Sequence, residues 1–388
     1  MHKVVLRCAF FLLPLAAAAW AGCSDRTGGD TPAEKDGAAP ETAPPHPDVY
    51  VPPVDAAPDA ARDCSADKNV DGLYKHLDCT GLYASFATKT VAADNKAYTP
   101  GVQFWSDGAE KSRFLYLPPG AKIDITSFDE WIFPTGTTIW KEFKVGGKRI
   151  ETRLFIKAAD GWRHTDYRWN DAETDAVRKD NGEKIPIAGK APYEVPSTAQ
   201  CDYCHAGRKE PVLGIEAVSL GLATAQGVTL ATLKADGRFN IAPPVTTFAL
   251  PDDGTGKSAA ALGWMHANCG HCHNANVGAA AAFTDLRTLL RPSQLLPEAG
   301  AATVQDLDTW KTAVNMPSKV SNADAGPGAF YMFIAPGSPS TSITSVFSGR
   351  RVPAGEEPTS SFQMPPLVTR QVDVSGHALL DAWITAIP

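Results

Sequence analysis

The sequence predicts a multidomain protein in which an antiparallel, sandwich-like β domain precedes a mainly α-helical region. Between residues 80 and 198 the chain alternates apolar and polar residues and is rich in β-branched and aromatic types, which indicates strands. After residue 200, short apolar patterns with helical spacing are separated by Pro- and Gly-containing loops. An apolar start and a polar, Pro-rich stretch precede both regions, so the 388 residues divide into several segments.

Residues 1–22 have the organisation of a secretory signal. His2, Lys3 and Arg7 form a positive beginning, and the apolar stretch that follows is too short to span a bilayer securely. Small residues then precede Cys23, which resembles the lipobox of bacterial lipoproteins, where this cysteine carries the lipid. The sequence therefore predicts an exported, lipid-anchored protein, with a plain signal and a spare cysteine as the alternative. Ser24 does not resemble the inner-membrane retention signal, which favours the outer membrane.

Residues 23–63 are predicted to form a disordered acidic tether. From residue 24 to residue 63 the chain holds eight prolines, nine acidic residues and only three Lys or Arg. Such a composition cannot bury a core and favours an extended chain. The whole protein carries a net charge of −7 and shows no basic stripe, which argues against nucleic acid as a partner.

Residues 64–198 are predicted to form the β domain. Arg113–Leu117, Thr137–Val145 and Arg149–Ile156 have strand patterns, and Gly-containing turns separate them. Five of the nine tryptophans lie here, which indicates a core more than a sugar-binding surface. No paired acids, Ser/His/Asp set or phosphate loop stands out, so no catalytic residue is predicted.

Two Cys-x-x-Cys-His motifs follow, Cys201-Asp-Tyr-Cys-His205 and Cys269-Gly-His-Cys-His273. In a helical turn, residues i, i+3 and i+4 share a face, so two thiols and an imidazole point the same way. This is the spacing of covalent c-type haem attachment, in which the thiols bond the porphyrin and the histidine binds the iron. The sequence therefore predicts two c-type haems, held by Cys201, Cys204 and His205 and by Cys269, Cys272 and His273.

Other cysteine sites fit this pattern less well. The two cysteine pairs of a zinc site are usually about 15–20 residues apart, whereas 64 residues separate Cys204 from Cys269. A redox dithiol is expected beside a βαβ pattern and gives the following histidine no role. With nine histidines in the chain, chance would place one after both pairs roughly once in two thousand times.

Helical patterns surround the motifs at residues 217–222, 229–235, 259–268 and 377–385. They predict two consecutive cytochrome c-like haem domains, at residues 199–262 and 263–388, with the last helix packing against a motif-bearing helix. In domains this small, the haem would supply much of the core.

Several segments together resemble a family of exported bacterial dihaem c-type cytochromes. The resemblance covers roughly residues 82–387 and implies a β-rich N-terminal portion, a C-terminal cytochrome portion and electron transfer more than any substrate. Besides the two motifs, the segments that carry it are Phe104-Trp-Ser-Asp-Gly-Ala-Glu-Lys111, Phe114-Leu-Tyr-Leu-Pro-Pro-Gly120, Phe133-Pro-Thr-Gly136, Ile150-Glu-Thr-Arg-Leu154 and Met364-Pro-Pro-Leu followed by Trp383-Ile.

The residue that binds the iron on the side opposite each proximal histidine determines the reduction potential of the haem and whether the iron can bind another ligand. For His273 the best candidate is Met364, because a Met-Pro-Pro segment ahead of a final helix resembles the ligand loop of class I cytochromes c. Met332 and Met316 are rivals. For His205 the sequence offers His266, with Met265 as its rival. A third alternative is that neither of them binds iron.

The other cysteines also have predicted roles. Cys8 leaves with the signal, Cys23 takes the lipid, and Cys64 and Cys79 are expected to form a disulfide in an oxidising compartment. Between them, Asp67-Lys-Asn-Val-Asp-Gly72 with Asp78 matches part of a calcium loop, although position 12 lacks the usual Glu. The alternative is a polar turn within the disulfide loop.

The function predicted from these features is electron transfer between periplasmic or membrane redox partners. The alternative is an enzyme, such as a dihaem peroxidase or another small-molecule oxidoreductase, in which one haem stays open to a ligand. A further interpretation gives the β domain a docking role for a partner or polymer. In each case the expected partners are redox proteins of unknown identity and, through the lipid, a membrane.

Overall fold

The computed structural model describes residues 62–298, 300–321, 328–352 and 363–388. The chain divides into two units, Met1–Pro58 and Asp59–Pro388, and every described residue belongs to the second. The predictions for the signal, for Cys8, for the lipid on Cys23 and for most of the tether lie outside the described residues. No helix in the described ranges is both long enough and apolar enough to cross a bilayer.

A seven-stranded sheet with antiparallel neighbours lies at the centre of this unit. The strands in chain order are β1 (Tyr83–Ser85), β2 (Thr90–Val91), β3 (Lys96–Thr99), β4 (Glu110–Tyr116), β5 (Thr138–Val145), β6 (Lys148–Ala158), β7 (Gly161–Trp169), β8 (Ala176–Arg178), β9 (Asn181–Ile185), β10 (Tyr193–Ser197), β11 (Gln226–Gly227), β12 (Pro317–Ser321) and β13 (Phe330–Met332). The large sheet has the order β11-β3-β4-β5-β6-β7-β8, and the other strands pair as β1–β2, β9–β10 and β12–β13.

The three strand patterns of the sequence coincide with β4, β5 and β6, so the prediction of a β-rich antiparallel region is confirmed. Gly146 and Gly147 join β5 to β6 with φ values of 59° and 80°. Two consecutive positive φ angles suit a tight hairpin turn, and glycine adopts them without steric cost. In the described residues, helices and loops cover the seven-stranded sheet, and no second large sheet packs on it. The predicted sandwich is therefore not formed in this part of the chain.

Alternation along the central strands gives the sheet two apolar faces. One face presents Ile139 and Phe155, and the other presents Trp140 and Leu154. The second face is covered by the segment that contains the disulfide between Cys64 and Cys79, whose Cα atoms are 5.4 Å apart, and by the residues that follow it. Residues of this segment in the same core cluster are Leu73, Leu77, Leu82 and Tyr83, and the sheet adds Tyr167 and Trp169.

The first face is covered by the C-terminal half of the chain, whose helices are mostly short. They are α1 (Thr198–His205), α2 (Ala217–Gly221), α3 (Leu230–Ala235), α4 (Ser258–Asn268), α5 (Pro292–Leu295), α6 (Asp308–Ala313), α7 (Ile343–Ser348) and α8 (Val374–Ala386), with 3-10 turns at Ala282–Thr284, Val304–Asp306 and Pro339–Thr341; a further 3-10 turn, Leu77–Thr80, lies before the sheet. Four of these, α2, α3, α4 and α8, lie where the sequence pattern placed helices.

A mainly α-helical C-terminal region is not supported, and this part of the fold prediction was wrong. In the described part, only α4 and α8 exceed eight residues, and the connections between them are loops, turns and the β12–β13 ribbon. The physical reason is the content of Gly, Pro and Asn between the helical patterns, since these residues end helices and favour turns.

One hydrophobic core joins the sheet to these helices. It contains Leu115 and Phe155 from the sheet, Leu262 from α4 and Trp383 from α8. The terminal helix α8 packs on α4, and the indole N–H of Trp264 donates to Asp373 at 2.8 Å where α8 begins. The division into haem domains at 199–262 and 263–388 stays a prediction, since this core is continuous across both boundaries.

Candidate functional site

Helix α4 carries the second motif at its C-terminal end. The backbone N–H of Cys269 donates to Met265 O and that of His273 donates to Cys269 O, both at 2.8 Å, so helical turns continue through the motif. A Cβ on Gly270 would lie 2.5 Å from the carbonyl oxygen of His266. Glycine between the two cysteines is therefore required by this close approach.

The ring of His273 is fixed in one tautomer. Its Nδ1 lies 3.1 Å from the hydroxyl of Thr284, and that hydroxyl donates its own proton to the carbonyl of Ala281 at 2.7 Å. Thr284 therefore accepts a hydrogen bond from Nδ1–H, which leaves Nε2 with a free lone pair. Burial lowers the pKa of His273 to about 4, so the ring is neutral at physiological pH.

A cavity of about 460 Å³ adjoins the second motif. Cys269, Cys272 and His273 line it, and so does Met364, which lies 91 residues further along the chain. Most of the remaining wall is apolar and includes Leu286, Phe333, Ile343 and Phe347. This volume is in the usual range of ligand pockets, and two thiols, one imidazole and one thioether around it are the donors that a c-type haem needs.

The cavity distinguishes Met364 from the other methionines proposed as the ligand opposite His273. Met316 and Met332 are 43% and 37% exposed and do not line the cavity. Met265, which the sequence offered for His205, is 1% exposed and lines the same cavity, as does Cys204 of the first motif, whereas His205 does not.

The first motif lies in helix α1, directly after β10. Ser197 caps this helix, because its hydroxyl accepts from the N–H of Gln200 at 3.3 Å while the Gln200 side chain accepts from Ser197 N–H at 2.8 Å. Cys201 is 6% exposed and its sulfur lies 3.9 Å from a carboxylate oxygen of Asp166. Burial raises the pKa of the Cys201 thiol, so this thiol is protonated at neutral pH.

The imidazole of His205 is oriented in the same way as that of His273. Its Nδ1 lies 2.6 Å from the carbonyl oxygen of Pro211, which can only accept, so Nδ1 carries the proton and Nε2 is free. The ring also stacks on Phe155, with centroids 4.6 Å apart. Burial and the charge of Lys141 hold the pKa of His205 well below its usual value.

The two motifs meet in space. The ligand atoms of Cys204, His271 and Cys272 all lie within 4.8 Å of one another, which makes them a group that could hold a metal ion. A hydrogen bond between the two cysteines lowers the pKa of Cys204 and raises that of Cys272. Sequence reasoning missed His271, although its position between the cysteines of the second motif was a signal.

The assignment of His266 as an iron ligand stays a prediction, and in this structure both of its ring nitrogens contact protein groups. The backbone N–H of Leu290 donates to its Nδ1 at 3.1 Å, so Nε2 carries the proton and lies 3.3 Å from Glu216 Oε1. Both ring nitrogens are therefore engaged within the protein. Burial would raise the pKa of Glu216, but hydrogen bonds from His266 and Ser219 and the charge of Arg208 outweigh it and hold this pKa at about 2.

A row of charged side chains crosses the sheet beside the first motif. In the register of β4 to β7, Arg113 pairs with Lys141, Lys141 with Arg153, and Arg153 with Asp166. These residues share the face that presents Phe155. Burial lowers the pKa of Lys141 far below its usual value, and burial together with the charge of Glu151 raises that of Asp166.

The loop between β3 and β4 contributes directly to the cavity. Trp105 lines the cavity and its indole N–H donates to the carbonyl of Gln371 at 2.8 Å. Asp107 accepts from the backbone N–H groups of Arg370 and Gln371 at 2.7 and 3.0 Å. The loop that carries the Phe104–Lys111 segment therefore holds the chain that follows Met364.

The residues of the suggested calcium loop do not converge on one point. The two carboxylate oxygens of Asp67 bond the ring and backbone nitrogens of His76, at 2.6 and 2.9 Å. Asp71 binds Arg178 at 2.6 Å, and Asp78 binds the exposed Arg62 at 3.0 Å. The arrangement is that of a polar turn, so the calcium interpretation is not supported.

Comparison of the chain with protein-family models, with curated proteins and with solved structures finds no match. The functional conclusion therefore depends on the residues and their geometry.

Proposed function

We propose that this chain is an exported dihaem c-type cytochrome that carries electrons between periplasmic or membrane redox partners. In this proposal a lipid on Cys23 anchors it to a cell-envelope membrane, with the outer membrane favoured by Ser24. The observation that carries the proposal is that Cys269, Cys272, His273 and Met364 line the same cavity.

The two proximal histidines support the same assignment. In both, Nδ1 donates to a protein oxygen, from Pro211 for His205 and from Thr284 for His273, and Nε2 is left for a metal. Partners of this kind fix the orientation of a ligating imidazole and raise its basicity. A bound haem supplies one-electron redox chemistry at its iron.

Met364 and its surroundings fit the haem that has the higher reduction potential of the two. A thioether opposite histidine favours the reduced iron, and an apolar, water-excluding wall does the same. The wall around Met364 is largely apolar, and Trp105 of the β domain closes one side of it. In this proposal the β domain serves the electron carrier by shielding the haem on His273.

A second candidate is a dihaem peroxidase or another small-molecule oxidoreductase. The observation that favours it is that both ring nitrogens of His266 have protein partners. In this proposal His266 does not serve as the sixth ligand for a haem on His205. That haem would be open to a small ligand such as peroxide.

The test is expression of the full chain with a haem-maturation system. Haem is counted per protein, and spectra of the reduced protein are recorded with and without carbon monoxide. The double variants Cys201→Ala/Cys204→Ala and Cys269→Ala/Cys272→Ala serve as matched controls, each expected to retain one haem. Two covalent haems, both unaffected by carbon monoxide, support the carrier.

Two other outcomes would change the conclusion. If carbon monoxide binds one haem and the signal is absent in the Cys201→Ala/Cys204→Ala variant, the open iron belongs to His205 and the enzyme is favoured. If the chain carries no haem but retains zinc or copper, the proposal fails and the group of Cys204, His271 and Cys272 is the metal site.

A further inference from the structure

One cation on the wall of the cavity beside the second motif has no anionic partner. Among the described residues, Lys319 and Arg351 are the Lys and Arg side chains that line this cavity. Lys319 is mostly exposed and lies 3.4 Å from Asp285. Arg351 forms no ion pair with a carboxylate in the described part of the chain. Its guanidinium is therefore an unmatched positive charge on the cavity that holds His273 and Met364.

The protein uses only one nitrogen of this guanidinium. The hydrogen bonds of Arg351 to described residues all come from Nη1, which donates to the carbonyl oxygens of Ser348, Arg350 and Met364 at 3.1, 2.5 and 3.2 Å. Its Nε is buried and has no hydrogen-bond partner there. The edge formed by Nε and Nη2 is thus left without an acceptor. Arginine binds a carboxylate through such an edge with two parallel hydrogen bonds.

The acids whose charges act on Arg351 are already occupied by other groups. They are Asp107 and Asp373. Asp107 accepts from two backbone N–H groups at 2.7 and 3.0 Å, and Asp373 accepts from a backbone N–H at 2.9 Å and from the indole of Trp264 at 2.8 Å. A partly enclosed cation is stabilised when an anion accompanies it. The position of Arg351 therefore favours an anionic ligand in the cavity.

Other donors on the cavity wall are used within the protein. The side chains of Trp105, Asn268, Thr344 and Ser348 each donate to a backbone carbonyl oxygen. Arg351 differs from them because it combines a full positive charge with N–H groups that have no acceptor. A carboxylate in this cavity would find its strongest partner there.

We propose that Arg351 binds a propionate carboxylate of the haem attached to Cys269 and Cys272. The inference rests on the proposed function, because it requires a haem beside His273. A haem of this type carries two propionates, and a carboxylate in a largely apolar cavity is costly unless a cation accompanies it. Through its bond to the carbonyl oxygen of Met364, Arg351 also connects this propionate to the loop that carries the predicted axial ligand.

A dissolved carboxylate shares this chemistry, but the haem is the better candidate. The porphyrin is bonded to cysteines on the same cavity wall as Arg351, so its propionate reaches the guanidinium at a high effective concentration. A dissolved carboxylate would have to be captured from water by one cation in surroundings that are largely apolar.

The proposal predicts a specific effect on reduction potentials. Positive charge near a haem favours the reduced state, which carries one more electron. Loss of the Arg351 charge should therefore lower the potential of the haem on His273 and leave the other potential little changed. The released propionate should also shift its infrared carboxylate bands, which report on it independently of any activity.

The experiment uses the full-length holoprotein and three variants. Arg351→Gln removes the charge but keeps an N–H donor for the backbone carbonyls, Arg351→Lys keeps the charge but cannot form the two parallel bonds, and Arg350→Gln removes the exposed neighbouring charge. We expect a lower potential and shifted carboxylate bands in Arg351→Gln. Arg351→Lys should keep a potential near that of the parent but shift the bands, and Arg350→Gln should resemble the parent in both.

The weak near-infrared absorption of a ferric haem bound to a thioether shows whether Met364 still binds the iron. We expect this absorption to persist in all three variants. Its loss in both Arg351→Gln and Arg351→Lys would overturn the inference, because Arg351 would then act by holding Met364. If it is lost only in Arg351→Gln, the carboxylate bands of Arg351→Lys decide, and unshifted bands there overturn the inference.

The remaining outcomes separate failure of this inference from failure of the proposed function. A haem on Cys269 and Cys272 whose potential and carboxylate bands are the same in Arg351→Gln and Arg350→Gln would overturn the inference and leave the cytochrome intact. Absence of that haem in the parent would overturn the proposed function itself. Heat released on adding acetate to the parent holoprotein, but not to Arg351→Gln, would assign Arg351 to a dissolved carboxylate instead.

Discussion

The side-chain oxygen of Asn268 accepts a hydrogen bond from the backbone N–H of Trp105 at 2.7 Å, and its amide donates to the carbonyl of Gln103 at 3.2 Å. The last residue of α4 is thereby fastened to the loop between β3 and β4. Through its indole the same Trp105 contacts Gln371, which follows Met364 in the chain. The loop of the β domain thus ties together two sides of the cavity.

Replacing Asn268 with Ala should destabilise the protein. Asn268 is 8% exposed, and its loss leaves the N–H of Trp105 and the carbonyl of Gln103 without these partners. Both bonds are only partly buried and Gln103 is exposed, so water can replace part of the lost bonding, and a loss of about 1 kcal/mol, the net value of a typical hydrogen bond, is expected in the free energy of unfolding. Urea unfolding followed by circular dichroism measures it. The exposed control Asn181→Ala should stay within about 0.5 kcal/mol of the parent, and an equal loss in both variants would contradict the role of Asn268.

Met364→Ala should leave both haems attached and lower one reduction potential. The covalent bonds depend on the cysteines, whereas the thioether contributes only to the stability of the reduced iron. Axial ligands set haem potentials over a range of about 0.8 V, so a fall on the order of 0.1 V is expected for the haem on His273. Potentiometric titration provides the measurement. Met316→Ala and Met332→Ala, both at exposed positions, are the matched controls, and a fall in either of them instead would reassign the ligand.

Local sequence patterns were sufficient to predict much of the fold. The strands β4 to β6 and the helices α4 and α8 have strong two-residue or helical periodicity, and each lies where the sequence placed it. The extent of helix in the C-terminal half was overestimated because compact helical patterns were extended across connections whose Gly and Pro residues form loops. The second motif was identified from its spacing, and Met364 from the resemblance of its Met-Pro-Pro segment to a cytochrome ligand loop. The structure places both on one cavity.

Features that depend on pairing between distant segments could not be found in this way. The row of Arg113, Lys141 and Arg153 exists only because three strands adopt one register, and sequence alternation does not specify which residues face each other across strands. Likewise, His266 looks available in the sequence. In the fold its ring nitrogens contact Glu216 and the backbone of Leu290, which lie 50 and 24 residues away in the chain.

Gly376→Ala should destabilise the contact between α8 and α4. A Cβ on Gly376 would lie 1.8 Å from the indole nitrogen of Trp264, which is itself held by Asp373 at 2.8 Å. Relief of this overlap requires the two helices to separate, which costs typically 1–3 kcal/mol. Thermal unfolding of Gly376→Ala is compared with Ser375→Ala, one residue earlier and exposed. Equal midpoints in the two variants would show that α8 does not approach α4 this closely.

Glu216 should make stability depend on pH in the acid range. Its pKa is about 2 in the folded protein, below the ordinary value of 4.5, because hydrogen bonds from His266 and Ser219 and the charge of Arg208 outweigh the effect of burial. Between these two values the unfolded chain binds more protons than the folded one. The stabilisation from this carboxylate is therefore fully present above pH 4.5 and is lost as the pH falls toward 2.

The variant Glu216→Gln isolates this contribution. Glutamine keeps one side-chain oxygen for the N–H groups of Val218 and Ser219 at the start of α2 but removes the charge that faces His266. At pH 7 the variant should lose on the order of 3 kcal/mol in the free energy of unfolding. Its difference from the parent should shrink as the pH is lowered from 4.5 toward 2. Glu298→Gln, at an exposed position, is the control and should show no such trend. A difference for Glu216→Gln that is constant across this range would mean that the charge of Glu216 does not stabilise the fold, and that its role is limited to capping α2.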